Sequence, residues 1–216
     1  MNDEVARKVE SFFAAYPVKS FAKGQIITHA DEKPHGVLYM LTGRVNQYDI
    51  TSNGVEVVVN IFKPPAFFPM SWAINKTPNQ FFFEAAIPTT AHEAPAEDVV
   101  AFLRSNPEVA LDLLARVYRG VDGVLRRTTH LMAGDARSRL TFELLNAANR
   151  FGNTDKEGRV TIPLTESDLA KHSGLARETV SRAFQKLKNA GLVQLDHGTI
   201  VVPSIKVLDA ALDKDF

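Results

Sequence analysis

The segment LTESDLAKHSGLARETVSRAFQKLKNAGLV, residues 164–193, carries two arginines, a glutamate and a serine close together: Arg177, Glu178, Ser181 and Arg182. In the major groove of DNA an arginine can donate two hydrogen bonds to guanine, a glutamate can accept one from cytosine, and a serine hydroxyl can serve several bases. Lysines placed nearby, such as Lys186 and Lys188, can neutralise phosphates. These residue types predict a surface that reads double-stranded DNA.

The residues before these side chains predict a short helix followed by a tight turn. Thr165 and Asp168 have the spacing of a capping box, so a helix is expected to begin near Glu166. Gly174 supplies the turn, because glycine adopts positive φ without steric cost. Small Ala170 lets a second helix cross the first closely. We expect Thr165 to lie beside the DNA-reading surface.

The second helix is predicted to be amphipathic. Val180, Phe184 and Leu187 recur at intervals of four and three, so they face a core and leave Arg177, Glu178, Ser181 and Arg182 on the outer face. After NAGL the run VQLDHGTIVV is typical of a small hairpin that turns at His197-Gly198. Two helices, a turn and a hairpin in this order favour a winged helix–turn–helix over a solvated helix pair.

Upstream, residues 18 to about 95 show the period of two that is typical of strands, in GQIITHA, GVLYMLTGRVNQYDI and VEVVVNIF. The segment TSNG, residues 51–54, joins two of these runs as a hairpin turn. A short amphipathic helix is predicted around Val5–Phe13. The pattern predicts an antiparallel β roll or barrel.

A heptad pattern follows the β region. Apolar or small residues stand at positions 110, 114, 117, 121, 124, 128 and 131. Such a helix usually packs on a partner helix, although a helix lying on its own barrel shows a similar period. We expect a homodimer whose seam contains Leu114, Val117, Val121, Val124 and Leu131. Gly134 is expected to end the helix, and Asp135 to cap the next one.

The run RETVSRAFQKLKNAGLV, followed by GTIVV and preceded by a glycine-punctuated β domain and a heptad helix, resembles the bacterial cyclic-AMP receptor and fumarate–nitrate regulator (Crp/Fnr) family of transcription factors. The resemblance spans nearly the full length. It implies an α+β fold with an N-terminal double-stranded β-helix, or jelly roll, of the cyclic-nucleotide-binding-like type at 1–107. It further implies a dimerisation helix at 108–133 and a winged helix–turn–helix domain at 134–216.

The same resemblance implies a palindromic operator and, as a further partner, RNA polymerase. In the cyclic-AMP branch the recognition helix carries Arg-Glu-Thr-Val-x-Arg, which is matched by Arg177, Glu178, Thr179, Val180 and Arg182, so the resemblance adds Thr179 to the expected DNA-binding residues. Ser181 replaces the glycine of that branch and matches the serine of the fumarate–nitrate branch. The expected half-site is therefore TGTGA-like or TTGAT-like. Ala176 departs from the serine that is common at this helix start.

The phosphate-binding cassette of the cyclic-nucleotide branch, a Gly-Glu pair and an Arg-Ser pair, is not matched. The aligned stretch 64–88 contains no arginine, and Pro69-Met70 stand where Gly-Glu is expected. Val124-Leu125 replace the Thr-Ser pair that contacts the base from the long helix. Since an anionic nucleotide would find no cation for its phosphate, we expect an effector other than cyclic AMP.

The stretch is rich in aromatic residues, and two interpretations stay open. The rings can form core, or they can line an apolar effector pocket suited to haem or a hydrophobic small molecule. The residues predicted for that pocket are Phe67, Phe68, Trp72, Phe82, Val124 and Leu125. Haem ligation by His29, His35, His92 or His130 is open, because no spacing singles out one of them. A member of the family that needs no ligand is a further alternative.

Composition excludes several classes of protein. With no cysteine among 216 residues, an iron–sulfur cluster or a thiolate metal site is excluded, and we predict no metal site. No apolar run approaches the ~20 residues of a membrane span, so we expect a cytoplasmic protein without a membrane partner. The sequence contains no phosphate loop, HExxH or GxSxG, and we expect no enzyme. A regulatory module of kinase or channel type is disfavoured by the winged helix and the missing cassette.

Overall fold

The computed structural model of the chain describes residues 3–196 and 198–212. These residues form two compact units that divide between Gly120 and Val121, and the longest helix contributes to both. The first unit is mainly β-sheet and the second mainly helical, as the period of two and the helical patterns predict. The domain limits proposed from the sequence, 1–107, 108–133 and 134–216, stay a prediction.

The first unit contains a six-stranded antiparallel sheet with helices at both ends of its sequence. Strands β1, β6, β3 and β4 lie side by side in that order, β2 pairs with β6, and β5 pairs with β3. The elements are α1 (Asp3–Phe13), β1 (Val18–Phe21), β2 (Ile26–Thr28), β3 (Val37–Ile50), β4 (Glu56–Phe62), β5 (Phe67–Phe68), α2 (Met70–Asn75), β6 (Phe82–Ala94) and α3 (Ala96–Ser105).

The longest pairing joins β3 to β6, from Val37 opposite Ala94 to Tyr48 opposite Phe82. Gly43, in the middle of β3, has φ 99°, and a Cβ at this position would overlap the Thr89 side chain, so only glycine permits this close approach. The antiparallel β architecture predicted for this part of the chain is confirmed.

Helix α4 (Pro107–Ala133) follows α3 after a single residue. Pro107 occupies the first helical position, where its missing N–H is not needed. Over its 27 residues α4 buries only Val109. The helix ends before Gly134, and the Asp135 side chain accepts a hydrogen bond from the Ser138 N–H to cap the next helix, as predicted.

The second unit, after the end of α4, packs four helices and a small antiparallel sheet in the order β7-β8-β10-β9. Its apolar core contains Leu140, Leu144, Leu169, Phe184 and Ile200, all at most 2% exposed. The elements are α5 (Ala136–Phe151), β7 (Asn153–Thr154), β8 (Val160–Ile162), α6 (Glu166–Ser173), α7 (Arg177–Asn189), β9 (Gln194–Asp196), β10 (Thr199–Val202) and α8 (Ile205–Ala210).

Candidate nucleic-acid interface

Helix α6 begins where the sequence predicts, because the capping box at its start is complete. The Asp168 N–H donates to Thr165 Oγ1 at 3.2 Å, and the Thr165 N–H donates to Asp168 Oδ2 at 2.8 Å. The Thr165 hydroxyl also donates to Asp168 Oδ2 at 2.8 Å. Its hydrogen is therefore already used within the cap, and a DNA contact by Thr165 stays a prediction that rests on its remaining lone pair.

Three residues separate α6 from α7. Gly174 has φ 64°, the left-handed conformation that ends a helix with little strain at glycine. Leu175 packs against the core of the unit. Ala176 precedes α7 without a side-chain hydrogen bond to cap it, as the departure from serine implies. The glycine turn and the two helices of the predicted helix–turn–helix are present.

Helix α7 presents one apolar and one polar face. Val180, Ala183, Phe184 and Leu187 are buried. Of the predicted DNA-contacting residues on this helix, Thr179 is half-buried and the others are exposed: Arg177, Glu178, Ser181, Arg182, Lys186 and Lys188. Because consecutive residues of a helix are rotated by about 100°, Arg177, Ser181 and Lys188 lie along one side, with Glu178 and Arg182 next to it.

The structure adds one residue that the sequence reasoning missed. Gln185 is exposed one turn after Ser181 and lies near the middle of the polar face. Its Nε2 donates to Asn189 Oδ1 at 2.8 Å, which orients the amide along the helix. A glutamine amide can bond adenine through two atoms. The spacing of four from Ser181 is the signal that identifies it.

The hairpin that follows α7 pairs β9 with β10, with Thr199 opposite Asp196. All three residues of β9 are exposed, whereas Ile200 and Val202 of β10 are buried, so only β10 contributes to the core. Gly198 has φ 83°, as a tight turn requires. The other residue of the predicted turn, His197, lies outside the described residues.

Helix α4 carries the predicted dimer seam with its apolar side chains uncovered. Within the part of the chain that the structure describes, the seam residues remain between 37% and 56% exposed: Leu114, Val117, Val121, Val124 and Leu131. Together they form an apolar stripe at heptad spacing. A stripe of this kind is unfavourable in water unless something covers it.

The aromatic residues of the predicted effector pocket lie in different surroundings. Phe67 and Phe68 are 6% and 1% exposed and belong to the core. Phe68 stacks on Phe62 and Phe83 with ring centroids 4.8 and 5.1 Å apart, and Phe82 stacks on Tyr48. Trp72 is half-buried, whereas Val124 and Leu125 are exposed. The rings of Phe67 and Phe68 thus serve as core, and an effector site at these six residues stays a prediction.

An arginine reaches the aromatic stretch from α4. Arg116 Nη1 donates to the Pro65 carbonyl at 3.0 Å, and the guanidinium carbon lies 5.2 Å from the centroid of the Phe67 ring. Arg116 Nε is also 3.0 Å from Asp112 Oδ2, so a carboxylate already balances its charge. The stretch 64–88 has no arginine of its own, and the one that approaches it is engaged with protein groups.

A buried ion pair links α4 to α5 within the second unit. Arg127 Nε lies 2.6 Å from Glu143 Oε1, and the two side chains are 18% and 5% exposed. Arg127 Nη2 also donates to the His172 carbonyl at the end of α6. Burial raises the pKa of the Glu143 carboxyl to about 6, against the opposing attraction of Arg127 and Arg150. Burial likewise lowers the pKa of Arg150.

The raised pKa predicts a component of stability that depends on pH. Because the folded chain holds the Glu143 proton more tightly than the unfolded chain, this carboxyl contributes stability below pH 4.5 that is lost as the pH rises through 6. The full contribution is about 2 kcal/mol. The Glu143→Gln side chain cannot titrate. The free energy of unfolding of this variant minus that of the wild type, both measured in urea, should therefore increase by this amount between about pH 4 and pH 7. A difference that does not vary with pH contradicts the prediction.

Two family models match the chain: the Cyclic nucleotide-binding domain over residues 18–106 and the Crp-like helix-turn-helix domain over residues 138–211. Transcriptional regulator SdrP of Thermus thermophilus is 25% identical over 191 residues, covering 88% of this chain and 91% of the relative. The cAMP-activated global transcriptional regulator CRP of Pasteurella multocida is 22% identical over 195 residues, covering 90% of this chain and 93% of the relative.

Among solved structures, the c-di-GMP responsive global regulator CLP of Xanthomonas campestris has the same fold. The TM-score is 0.79 at 17% identity, and the match covers 91% of this chain and 98% of that one. A β domain of cyclic-nucleotide-binding type followed by a helix–turn–helix defines the class of transcription regulators that join a regulatory domain to a DNA-binding domain. The chain belongs to the Crp/Fnr family of transcription regulators, and the family predicted from the sequence is confirmed.

Proposed function

We propose that the protein is a homodimeric transcription regulator that binds a palindromic operator and responds to an effector other than cyclic AMP. The main support for this proposal is that α7 has one buried and one exposed face. Its apolar residues are buried, and Arg177, Glu178, Ser181 and Arg182 are exposed together. A helix of this kind, held at one end by a glycine turn, presents base-reading side chains to the major groove. The protein acts by binding, with RNA polymerase as a further partner, and we assign no catalysis to it.

Dimerisation is supported by the uncovered seam of α4. Two copies packed along Leu114, Val117, Val121, Val124 and Leu131 would bury the stripe that a single copy exposes. A two-fold dimer presents two α7 helices and therefore calls for an inverted repeat. The two half-sites are then about one turn of DNA, roughly 34 Å, apart.

The operator is tested by selection from random duplexes with the purified full-length chain. We expect enrichment of an inverted repeat whose half-sites contain G·C pairs, because arginine prefers guanine and glutamate prefers cytosine in the major groove. TGTGA-like and TTGAT-like half-sites are distinguished directly in the selected pool. Enrichment of no repeat would contradict sequence-specific binding.

The effector is proposed to be apolar, with haem or a hydrophobic small molecule as the two candidates. The support is the pair of half-buried aromatic residues Trp72 and Phe82 and the paired state of Arg116, which leaves little to attract an anion. The relatives differ in this respect, since one is named as cAMP-activated and another as c-di-GMP responsive. An absorption spectrum of the freshly purified protein, followed by mass spectrometry of any bound compound, distinguishes haem from other ligands and from a protein that needs none.

Cyclic AMP and cyclic GMP are expected not to bind appreciably. A nucleotide phosphate needs a cation or several free N–H donors, and Arg116 is held by Asp112, Pro65 and Phe67. Calorimetry with the nucleotide at about 1 mM tests for binding. A Kd of that size corresponds to a binding free energy of roughly −4 kcal/mol, so any tighter binding would be detected. Saturable binding that also tightened operator affinity would contradict the expectation.

A further inference from the structure

The end of α4 is attached to the DNA-binding unit mainly by polar contacts, and the His130 ring also packs on Phe142 with the ring centroids 4.6 Å apart. The apolar core of that unit is built from residues between Leu140 and Leu208, with partly buried side chains such as Leu175 packed on it, and no member of this cluster comes from α4. Burial of apolar surface is non-directional and tolerates small shifts, whereas hydrogen bonds and ion pairs fix distances and angles. The polar contacts therefore determine how the last turns of α4 lie on α5 and α6.

Two arginines make most of these contacts, and they differ in reach; in addition, Ser138 Oγ on α5 lies 3.4 Å from His130 Nδ1 on α4. Arg139, at the start of α5, donates to the carbonyls of Leu131 and Gly134 at 2.6 and 3.2 Å, which are only eight and five residues away. It closes the end of α4 locally. Arg127 instead contacts Glu143 on α5 and the His172 carbonyl on α6, 45 residues further along the chain. Of the two, Arg127 is the one that joins three helices.

Each of the two partners of Arg127 suits a guanidinium. His172 stands in the last turn of α6, whose carbonyls have no partner within the helix and carry partial negative charge. Gly174 then turns the chain toward α7. A cation at this point satisfies a carbonyl and interacts favourably with the helix dipole. Glu143, at 4% exposure, supplies the opposite charge from α5.

A buried ion pair of this kind contributes more to geometry than to stability. Removing charges from water is costly, so apolar residues of similar size often fold as well or better in place of a buried pair. Removing only one partner is destabilising, because the other charge remains buried without compensation. The charged groups around Glu143 are Arg127 from α4 and Arg150 from its own helix, and α6 contributes the His172 carbonyl through Arg127.

We propose that Arg127 is a positioning residue: with Glu143 and the His172 carbonyl it holds the last turns of α4 on α5 and α6 in a single arrangement, and so sets the orientation in which α7 meets the operator. The second half of this statement rests on the proposed function. The first half concerns the chain alone and is tested without DNA.

The arrangement is tested by distance measurement in the full-length chain. Because the chain has no cysteine, Asp122→Cys and Lys156→Cys introduce two labels at exposed positions, one on α4 and one in the β7–β8 turn. Labelled chain is mixed with excess unlabelled chain, so that the measured pair lies within one protomer. Pulsed electron paramagnetic resonance then gives the distribution of the label separation.

We expect one narrow distribution for the labelled parent and a broadened one for Arg127→Met/Glu143→Leu, a double variant that removes both charges and should fold. Arg127→Lys keeps the charge but lacks the forked donors needed for two acceptors, so an intermediate width is expected. The matched control is Arg159→Gln, which removes an exposed ion pair to Asp155, 2.8 Å long, in the same unit. A distribution for the double variant that superimposes on that of the parent would overturn the proposal.

Operator affinity provides the second measurement. The double variant should remain dimeric in sedimentation and unfold cooperatively in urea, yet bind the operator about tenfold more weakly, the size of a typical coupling between sites. Equal operator affinity would overturn the link between the ion pair and DNA binding. If the wild type itself selects no operator, the proposed function fails, whereas the distance measurement still decides whether Arg127 fixes the arrangement.

Discussion

Val121→Glu is expected to convert the dimer into monomers and to abolish tight operator binding together with it. Val121 lies in the middle of the α4 seam and is 45% exposed in the single chain. In a dimer the substitution brings two carboxylates into an apolar interface, where an unpaired charge is very costly. Loss of the second DNA-binding helix should weaken operator binding by about 10²-fold or more, because two linked sites bind far more tightly than one.

Sedimentation velocity and a titration of labelled operator measure the two effects on one preparation. Thr129→Glu is the matched control, since Thr129 is also exposed on α4 but lies off the heptad positions. We expect the control to remain dimeric. A Val121→Glu chain that sediments as a dimer would show that the seam is assigned to the wrong face of α4.

Arg182→Ala is expected to cost about 1–3 kcal/mol on the preferred operator and to relax the choice of base at one position of each half-site. Arg182 is exposed on α7, and its Nε donates to the Glu178 carbonyl at 3.3 Å, which directs the side chain along the polar face. Loss of a guanidinium that bonds one guanine removes affinity for that base. It leaves the preference at the other base pairs in place.

Lys188→Ala is the matched control for this experiment. Lys188 is exposed near the other end of α7, and a lysine there serves as a point charge for phosphate. Its loss should weaken binding to all sequences alike and reduce the salt dependence by roughly one charge. If Arg182→Ala instead lowers the affinity for all duplexes equally in selection and titration, the polar face of α7 binds phosphates and does not contact base edges.

Local signals in the sequence account for most of what could be predicted. The capping box of Thr165 and Asp168, the turn at Gly174 and the caps around Gly134 and Asp135 each depend on residues a few positions apart, so spacing alone identifies them. The two faces of α7 follow from the period of its apolar residues. These features were confirmed where the sequence placed them.

Contacts between distant segments could not be predicted in this way. Arg116 and Pro65 are 51 residues apart, and Arg127 and His172 are 45 apart, so no spacing indicates that they meet. The aromatic residues near position 68 show a related difficulty. An aromatic side chain suits a core and a ligand pocket equally well, and only the stacking of Phe68 on Phe62 and Phe83 shows that its ring is core.

The continuity of α4 has a mechanical consequence. With 27 residues, the helix is a lever about 40 Å long, and a tilt of about 5° at one end displaces the other by about 3 Å, more than a hydrogen bond can stretch. The two compact units divide at Gly120 and Val121, and Gly120 and Gly123 have open space where a Cβ would stand. Each glycine lowers helix stability by about 1 kcal/mol relative to alanine, so α4 is least stable near the boundary between the two units. A single methyl group at either position would stabilise the helix without displacing any neighbour, so alanine at position 120 or 123 is a direct way to vary the stability of α4 alone.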